Sequence, residues 1–338
     1  MSNEKNKVNW DFVQKMGEEY GYRAIENCYG MPEICDPTYS TLLDRSVDIQ
    51  PPWNIPTKAA VSMAIVGAFF SKRNNPYHPI TPDEIYQSAR EACLAGAQII
   101  HLHVRNEKGY SLLDTKVFHQ VIDPLKDEFP HILIDGCLVP KWDADWENMK
   151  SFLKEKLFES TPINTVMTYT GDMLFAKPAH MMIEKTRLVQ EAGIKPQIAV
   201  YSDGDIDNAY RYLIRSDLLE KPYSWLILPA LPGCSPMYTP VGMMENVLHL
   251  YNRIMDIDPE SKVMICAAGR ASSYLATQAL IMGLGIRIGM EDTVWKWPHR
   301  NEKLENNAEC FKGYKNTIEF LGREIMSADE YRKEMGLI

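Results

Sequence analysis

The chain has 338 residues, 45% of them apolar and 24% charged, with a formal net charge of -9. That length and balance suit a globular α/β protein with a full core, and the acidic surplus argues against a general nucleic-acid surface. No run approaches the ~20 apolar residues that span a bilayer, so neither a nucleic acid nor a membrane is an expected partner.

Residues 1–58 read as an extension ahead of a main domain expected over residues 59–338. Residues 1–7 are polar and lack the apolar segment of a signal peptide. Residues 10–20 carry Trp10, Val13 and Met16 at helical spacing. The aromatic and proline-rich run that follows, as far as Pro51-Pro52-Trp53 and Pro56, reads as an ordered strap over a domain or at a subunit contact. Seven cysteines, at positions 28, 35, 93, 137, 234, 266 and 310, include no CxxC pair. They read as reduced thiols in a cytoplasmic protein.

From Lys58 onward strand and helix patterns alternate. Residues 60–66 form an apolar strand that ends in Gly67-Ala68-Phe69. Thr81-Pro82-Asp83-Glu84 then opens a helix: Thr81 can cap, Pro82 fits the first turn, and Glu84 completes a capping box. Residues 97–105 read as a buried strand. Alternation puts His101 and His103 on one face, roughly 7 Å apart along the backbone, with Ile100, Leu102 and Val104 on the other.

The later units predict helices over residues 115–127, 143–157, 178–192, 205–219, 241–257, 272–282 and 301–322. The strands between them are expected at 132–136, 164–168, 196–201, 225–228, 262–267 and 285–290. Eight βα units of this kind predict one (β/α)8 TIM barrel; a doubly wound open sheet is the alternative.

In such a barrel, chemistry sits at the carboxyl ends of the strands. His101 and His103 end the second strand, and Gly289-Met290-Glu291-Asp292 ends the eighth. Closure makes the first and eighth strands neighbours, so Glu291 can reach both histidines. A His, His, Glu set with an open position is a catalytic zinc pattern; two core histidines bonded to backbone are the alternative. Asp292 would then be a candidate base beside the metal, and Arg287 can pair with Asp292 or with an anionic substrate. Without the histidines, Glu291-Asp292 would read as a carboxylate pair complementing a helix dipole.

Several of these segments together resemble the β-keto acid cleavage enzymes, the family named for 3-keto-5-aminohexanoate cleavage. The resemblance rests on Pro79-Ile80-Thr81-Pro82-Asp83-Glu84, Gly96-Ala97, Ile100-His101-Leu102-His103-Val104-Arg105 with Gly109, Leu231-Pro232-Gly233, Ala268-Gly269-Arg270, and Arg287-Ile288-Gly289-Met290-Glu291-Asp292. It covers about residues 60–325. It implies a zinc-dependent TIM barrel that condenses a β-keto acid with acetyl-CoA, giving acetoacetate and a new acyl-CoA. His101, His103 and Glu291 match the family's metal ligands, and Asp292 and Arg287 its acid/base pair. A homo-oligomer is implied as well, with a tetramer expected.

The chain departs from the family pattern around the substrate. The first strand commonly ends Gly-Ala-Glu, where this chain has Gly67-Ala68-Phe69. The third usually ends in a Ser-Thr-Gly-Gly loop, where this chain has Cys137-Leu138-Val139-Pro140. An inward Glu of the fifth strand corresponds to Ala199. Phe69 and Cys137 are therefore the candidate substrate-binding residues of an altered pocket. Another metal-dependent lyase or hydrolase on the same barrel, or a non-catalytic metal-binding relative, are the alternative readings.

Overall fold

The computed structural model describes residues 8–20, 52–140, 143–170, 173–229 and 238–338. Most of the expected strap and the Leu231-Pro232-Gly233 segment lie outside these residues. The chain divides into two units, Met1–Asn54 and Ile55–Ile338. In the first, Trp10–Tyr20 is an α-helix.

The second unit is a closed barrel of eight parallel strands: β1 (Val61–Ala64), β2 (Ile99–Leu102), β3 (Leu133–Gly136), β4 (Ser160–Asn164), β5 (Lys195–Val200), β6 (Ser224–Ile227), β7 (Lys262–Cys266) and β8 (Gly285–Ile288). Consecutive strands pair, and β8 closes on β1 with Arg287 opposite Ser62. The helices are α1 (Pro82–Leu94), α2 (Thr115–Glu128), α3 (Asp143–Glu155), α4 (Ala179–Glu191), α5 (Asp203–Ala209), α6 (Pro240–Ile257), α7 (Ser272–Ile281) and α8 (Asn307–Phe320). This is the expected TIM barrel. Its strands are buried on both faces, so they read as apolar runs and not as strict alternation.

Local chemistry explains where elements start. Thr81 Oγ1 accepts from Glu84 N at 3.2 Å, and Glu84 Oε2 accepts from Thr81 N at 3.0 Å, which is the capping box read from the sequence. Helix α5 runs into a single π-turn at Tyr210–Ile214, short of the continuous helix expected over 205–219.

Two boundaries differ substantially from expectation. Strand β4 lies at Ser160–Asn164 and not at 164–168. Thr161, Pro162 and Asn164 hide it from a hydrophobicity reading, yet parallel pairing to Lys195–Ala199 holds it in the barrel. Met167–Thr170 instead pairs antiparallel with Met173–Ala176, forming a hairpin beyond the strand end. Helix α8 starts at Asn307, six residues later than expected, because residues 301–306 run as a loop with Asn306 capping through Glu309 N at 2.7 Å.

A short helix after α8, Ala328–Glu334, was not anticipated. Its Ala328 and Tyr331, with Met335, are buried in one cluster with Ala60, Ile99, Leu133, Leu226 and Met264 from the barrel interior. It closes the end of the barrel where the strands begin and leaves the opposite end for chemistry.

Candidate active site

The site forms where β2 and β8 finish on either side of β1. His101 and His103 are both buried, with ring centroids 5.4 Å apart and planes at 62°. After Ile288 the chain turns back through Gly289, whose φ is +132°, and Glu291 N donates to Ala64 O at 3.2 Å. A β-carbon at position 289 would lie 2.2 Å from Ala64 O, so only glycine permits the approach. Asn307 secures the same turn: its Oδ1 accepts from Met290 N at 2.9 Å, and its Nδ2 donates to Ile65 O at 3.0 Å.

This folding brings the three expected ligands together. Glu291 Oε1 lies 3.3 Å from His103 Nε2 and 3.5 Å from His101 Nε2. The donor atoms of the trio all lie within 4.8 Å of one another. On its far side His101 Nδ1 donates to Asp135 Oδ2 at 2.7 Å. That bond fixes the orientation of the ring and turns its Nε2 edge toward Glu291.

Arg287 organises the acidic side. Its Nη2 donates to Glu291 Oε1 at 2.8 Å, and its Nε and Nη2 donate to the two oxygens of Asp292 at 2.8 and 2.5 Å. Such a forked contact fixes the plane of the carboxylate as well as its position. All three side chains are buried.

Charged groups of both signs converge here. Three buried carboxylates, Asp135, Glu291 and Asp292, gather around one guanidinium and two imidazoles. Burial opposes a charged Glu291, but Arg287, His101 and His103 hold it well below the usual carboxylate range. Burial likewise opposes protonation of the imidazoles, yet Glu291 and Asp135 raise His101 to about 10, and Glu291 raises His103 to about 9. His101 Nε2 and Glu291 Oε2 are buried atoms without a hydrogen-bond partner. Two imidazole nitrogens and a carboxylate oxygen are a donor set for a divalent transition metal, and a dication there would take the place of the two protons that the raised imidazoles otherwise hold.

The other expected residues lie at varying distances from this centre. Phe69 is 63% exposed, with its side chain facing solvent beyond the β1 end. Cys137, just past β3, is half-buried; burial alone would raise its thiol, but His103, His101 and Lys185 hold it below its ordinary value. Ala199 is buried in the barrel wall.

Asp135, at the end of β3, is brought in by the geometry as the partner of His101. Sequence reasoning passed over the group behind Gly67. Arg105 donates to the carbonyls of Val66 and Gly67 at 3.0 and 2.9 Å, and His78 Nε2 lies 2.8 Å from Val66 O. A buried arginine closing an apolar strand was the available signal.

Fold and site together define a TIM-barrel protein with a buried His-His-Glu cluster and an Arg–Asp pair beside it at the carboxyl end of the barrel. Comparison with known proteins places the chain further: residues 58–337 match the model of the beta-keto acid cleavage enzymes, and the protein belongs to that family. It is 28% identical over 284 residues to a 3-keto-5-aminohexanoate cleavage enzyme of Fusobacterium nucleatum, covering 83% of this chain and 98% of the relative. It is 37% identical over 277 residues to a 3-oxoadipate:acetyl-CoA acetyltransferase of Cupriavidus necator, covering 82% and 94%. Among solved structures, apo ObcA shares the fold with a TM-score of 0.66 at 18% identity, over 77% of this chain and 66% of that one.

Proposed function

We propose that the protein is a zinc-dependent β-keto acid cleavage enzyme that uses acetyl-CoA as co-substrate. The observation that carries this reading is the convergence of His101, His103 and Glu291 beside the Arg287–Asp292 pair. The names of its relatives, one of which transfers an acetyl group from acetyl-CoA, support the same chemistry.

In the reaction, C2 of the β-keto acid loses a proton and bonds to the acetyl carbonyl carbon, whose thioester C–S bond breaks; the released CoA sulfur bonds to the keto carbon as the bond between that carbon and C2 breaks, and a proton returns to C2. The products are acetoacetate and an acyl-CoA carrying the remaining keto fragment. His101, His103 and Glu291 would hold the zinc, which when bound supplies a Lewis acid for the ketone and an anchor for the carboxylate. Asp135 keeps His101 in the tautomer whose Nε2 is free. Asp292, aligned by Arg287, is the candidate base for the C2 proton, which lies between two carbonyl groups and is correspondingly acidic. Arg287 in turn donates to both carboxylates.

The substrate shell points to a tail without a primary ammonium group. Position 69 holds Phe where the family often has a carboxylate, and Cys137 and Leu138 replace hydroxyl donors. The test is zinc analysis of protein purified without added metal, followed by a β-keto acid panel assayed for acetyl-CoA-dependent acetoacetate. Stoichiometric zinc with turnover on one acid is expected. Zinc without turnover on any member would favour a non-catalytic relative, and turnover independent of acetyl-CoA a different lyase or hydrolase.

A further inference from the structure

Three residues after Asp292, the indole of Trp295 carries two cations. Arg270 Cζ lies 3.6 Å from the ring centroid and Lys303 Nζ lies 3.2 Å from it. At those distances the two groups cannot share a face, so they sandwich the ring. The arrangement is built on the rim of the site. Gly269 N donates to Asp292 O at 2.9 Å, Thr293 Oγ1 donates to Gly269 O at 2.7 Å, and Trp295 N donates to Thr293 Oγ1 at 3.0 Å.

Two like charges gathered on one ring repel each other, and the indole offsets only part of that cost. Among the described residues neither has a carboxylate partner. Arg270 donates only to Arg300 O at 3.1 Å and Asn301 Oδ1 at 2.6 Å. The neighbouring cations of the same loop are matched: Lys296 pairs with Glu309, and Arg300 lies 3.5 Å from Glu302. Burial and the nearby Arg270 push the Lys303 ammonium below its ordinary value. On a chain of net charge -9, this unmatched pair is a local reversal of sign beside the reaction centre.

We propose that Arg270 and Lys303, held on Trp295, form an anion subsite that takes the phosphate groups of the CoA thioester. The inference rests on the acetyl-CoA reading above and assigns residues to it. Asp292 and Trp295 are three positions apart, a span of at most about 11 Å. A pantetheine arm is long enough to leave its thioester near Asp292 while its phosphates reach the rim. Phosphate, with several acceptor oxygens, suits a guanidinium and an ammonium that approach from the two sides of one ring.

The test is calorimetric titration of the full chain with CoA and with pantetheine, which lacks the phosphates, at low and high salt. Wild type is expected to bind CoA more tightly than pantetheine, with the difference shrinking as salt rises. Arg270→Gln/Lys303→Gln should weaken CoA at least tenfold and leave pantetheine unchanged. Because Arg270 also bonds the 300–301 loop, Lys303→Gln alone serves as the variant that breaks no hydrogen bond, and it should show a smaller loss of the same kind. Unchanged CoA affinity in both variants would overturn the subsite and leave the acetyl-CoA reading standing. Absence of CoA binding by wild type would overturn both. The same variants are also titrated with a β-keto acid carrying a distal carboxylate, and a loss confined to that acid would overturn the phosphate assignment and give the subsite to the acid substrate.

Discussion

Gly67 and Glu291 pack so closely that a β-carbon on the glycine would lie 2.3 Å from Glu291 Cγ. Gly67 also has a φ of +58°, which other residues adopt at a cost of about 1–3 kcal/mol. Gly67→Ala should therefore strain the loop and push Glu291 away from the histidines. A lower melting temperature together with a loss of stoichiometric metal is the expected result. Full metal content at an unchanged melting temperature would show that the loop yields freely and that the packing does not position Glu291.

Asp135 is expected to act through His101. Asp135→Asn keeps the size of the side chain but replaces the charged acceptor of the 2.7 Å bond to Nδ1. Losses at such outer-shell positions run to about 10–100-fold in metal affinity or activity. Competition with a chelator of known affinity measures the change directly. An affinity equal to wild type would mean that backbone packing alone orients the imidazole.

Asp292 is expected to serve the chemical step and not metal retention. Asp292→Asn should keep zinc and lower the rate by about 10²–10⁴-fold, the usual scale for loss of a positioned base. Arg287→Lys should also slow the reaction, because a lysine cannot donate simultaneously along the fork that now aligns Asp292. Near-wild-type turnover in Asp292→Asn would place the proton transfer elsewhere.

Tail specificity is expected to follow from the side chain at position 69. A carboxylate there can pair with a cationic tail and a phenyl ring cannot, although Phe69 can make a cation–π contact of about 0.5–2 kcal/mol with a quaternary ammonium. On one β-keto acid scaffold, kcat/KM should be higher for alkyl or trimethylammonium tails than for a primary ammonium. Phe69→Glu should raise the relative rate for the primary amine. Because Phe69 is 63% exposed in the free protein, an unchanged order in that variant would show that it stays outside the bound substrate's reach.

Local residue order carries the βα alternation, the capping box at Thr81 and Glu84, and the placement of His101 with His103 on one strand face. Those follow from local periodicity and turn chemistry, which need only neighbouring residues. It also placed Glu291 and Asp292 just past the last strand, so the convergence of His101, His103 and Glu291 was legible once closure of the barrel was assumed. Closure itself, with Arg287 opposite Ser62, is a long-range pairing that leaves no local trace. Register is similar: His101 stands opposite Asp135 because β2 and β3 align there, and a one-residue slip would turn Asp135 to the other face. The polar strand Ser160–Asn164 was hidden for the same reason, since its place is fixed by partners on both sides and not by its own hydrophobicity. The stacking of Arg270 and Lys303 on Trp295 joins the loop after β7 to residues beyond β8. Only the packed barrel brings those segments together, because the free energy that holds them is shared among contacts distant in the chain.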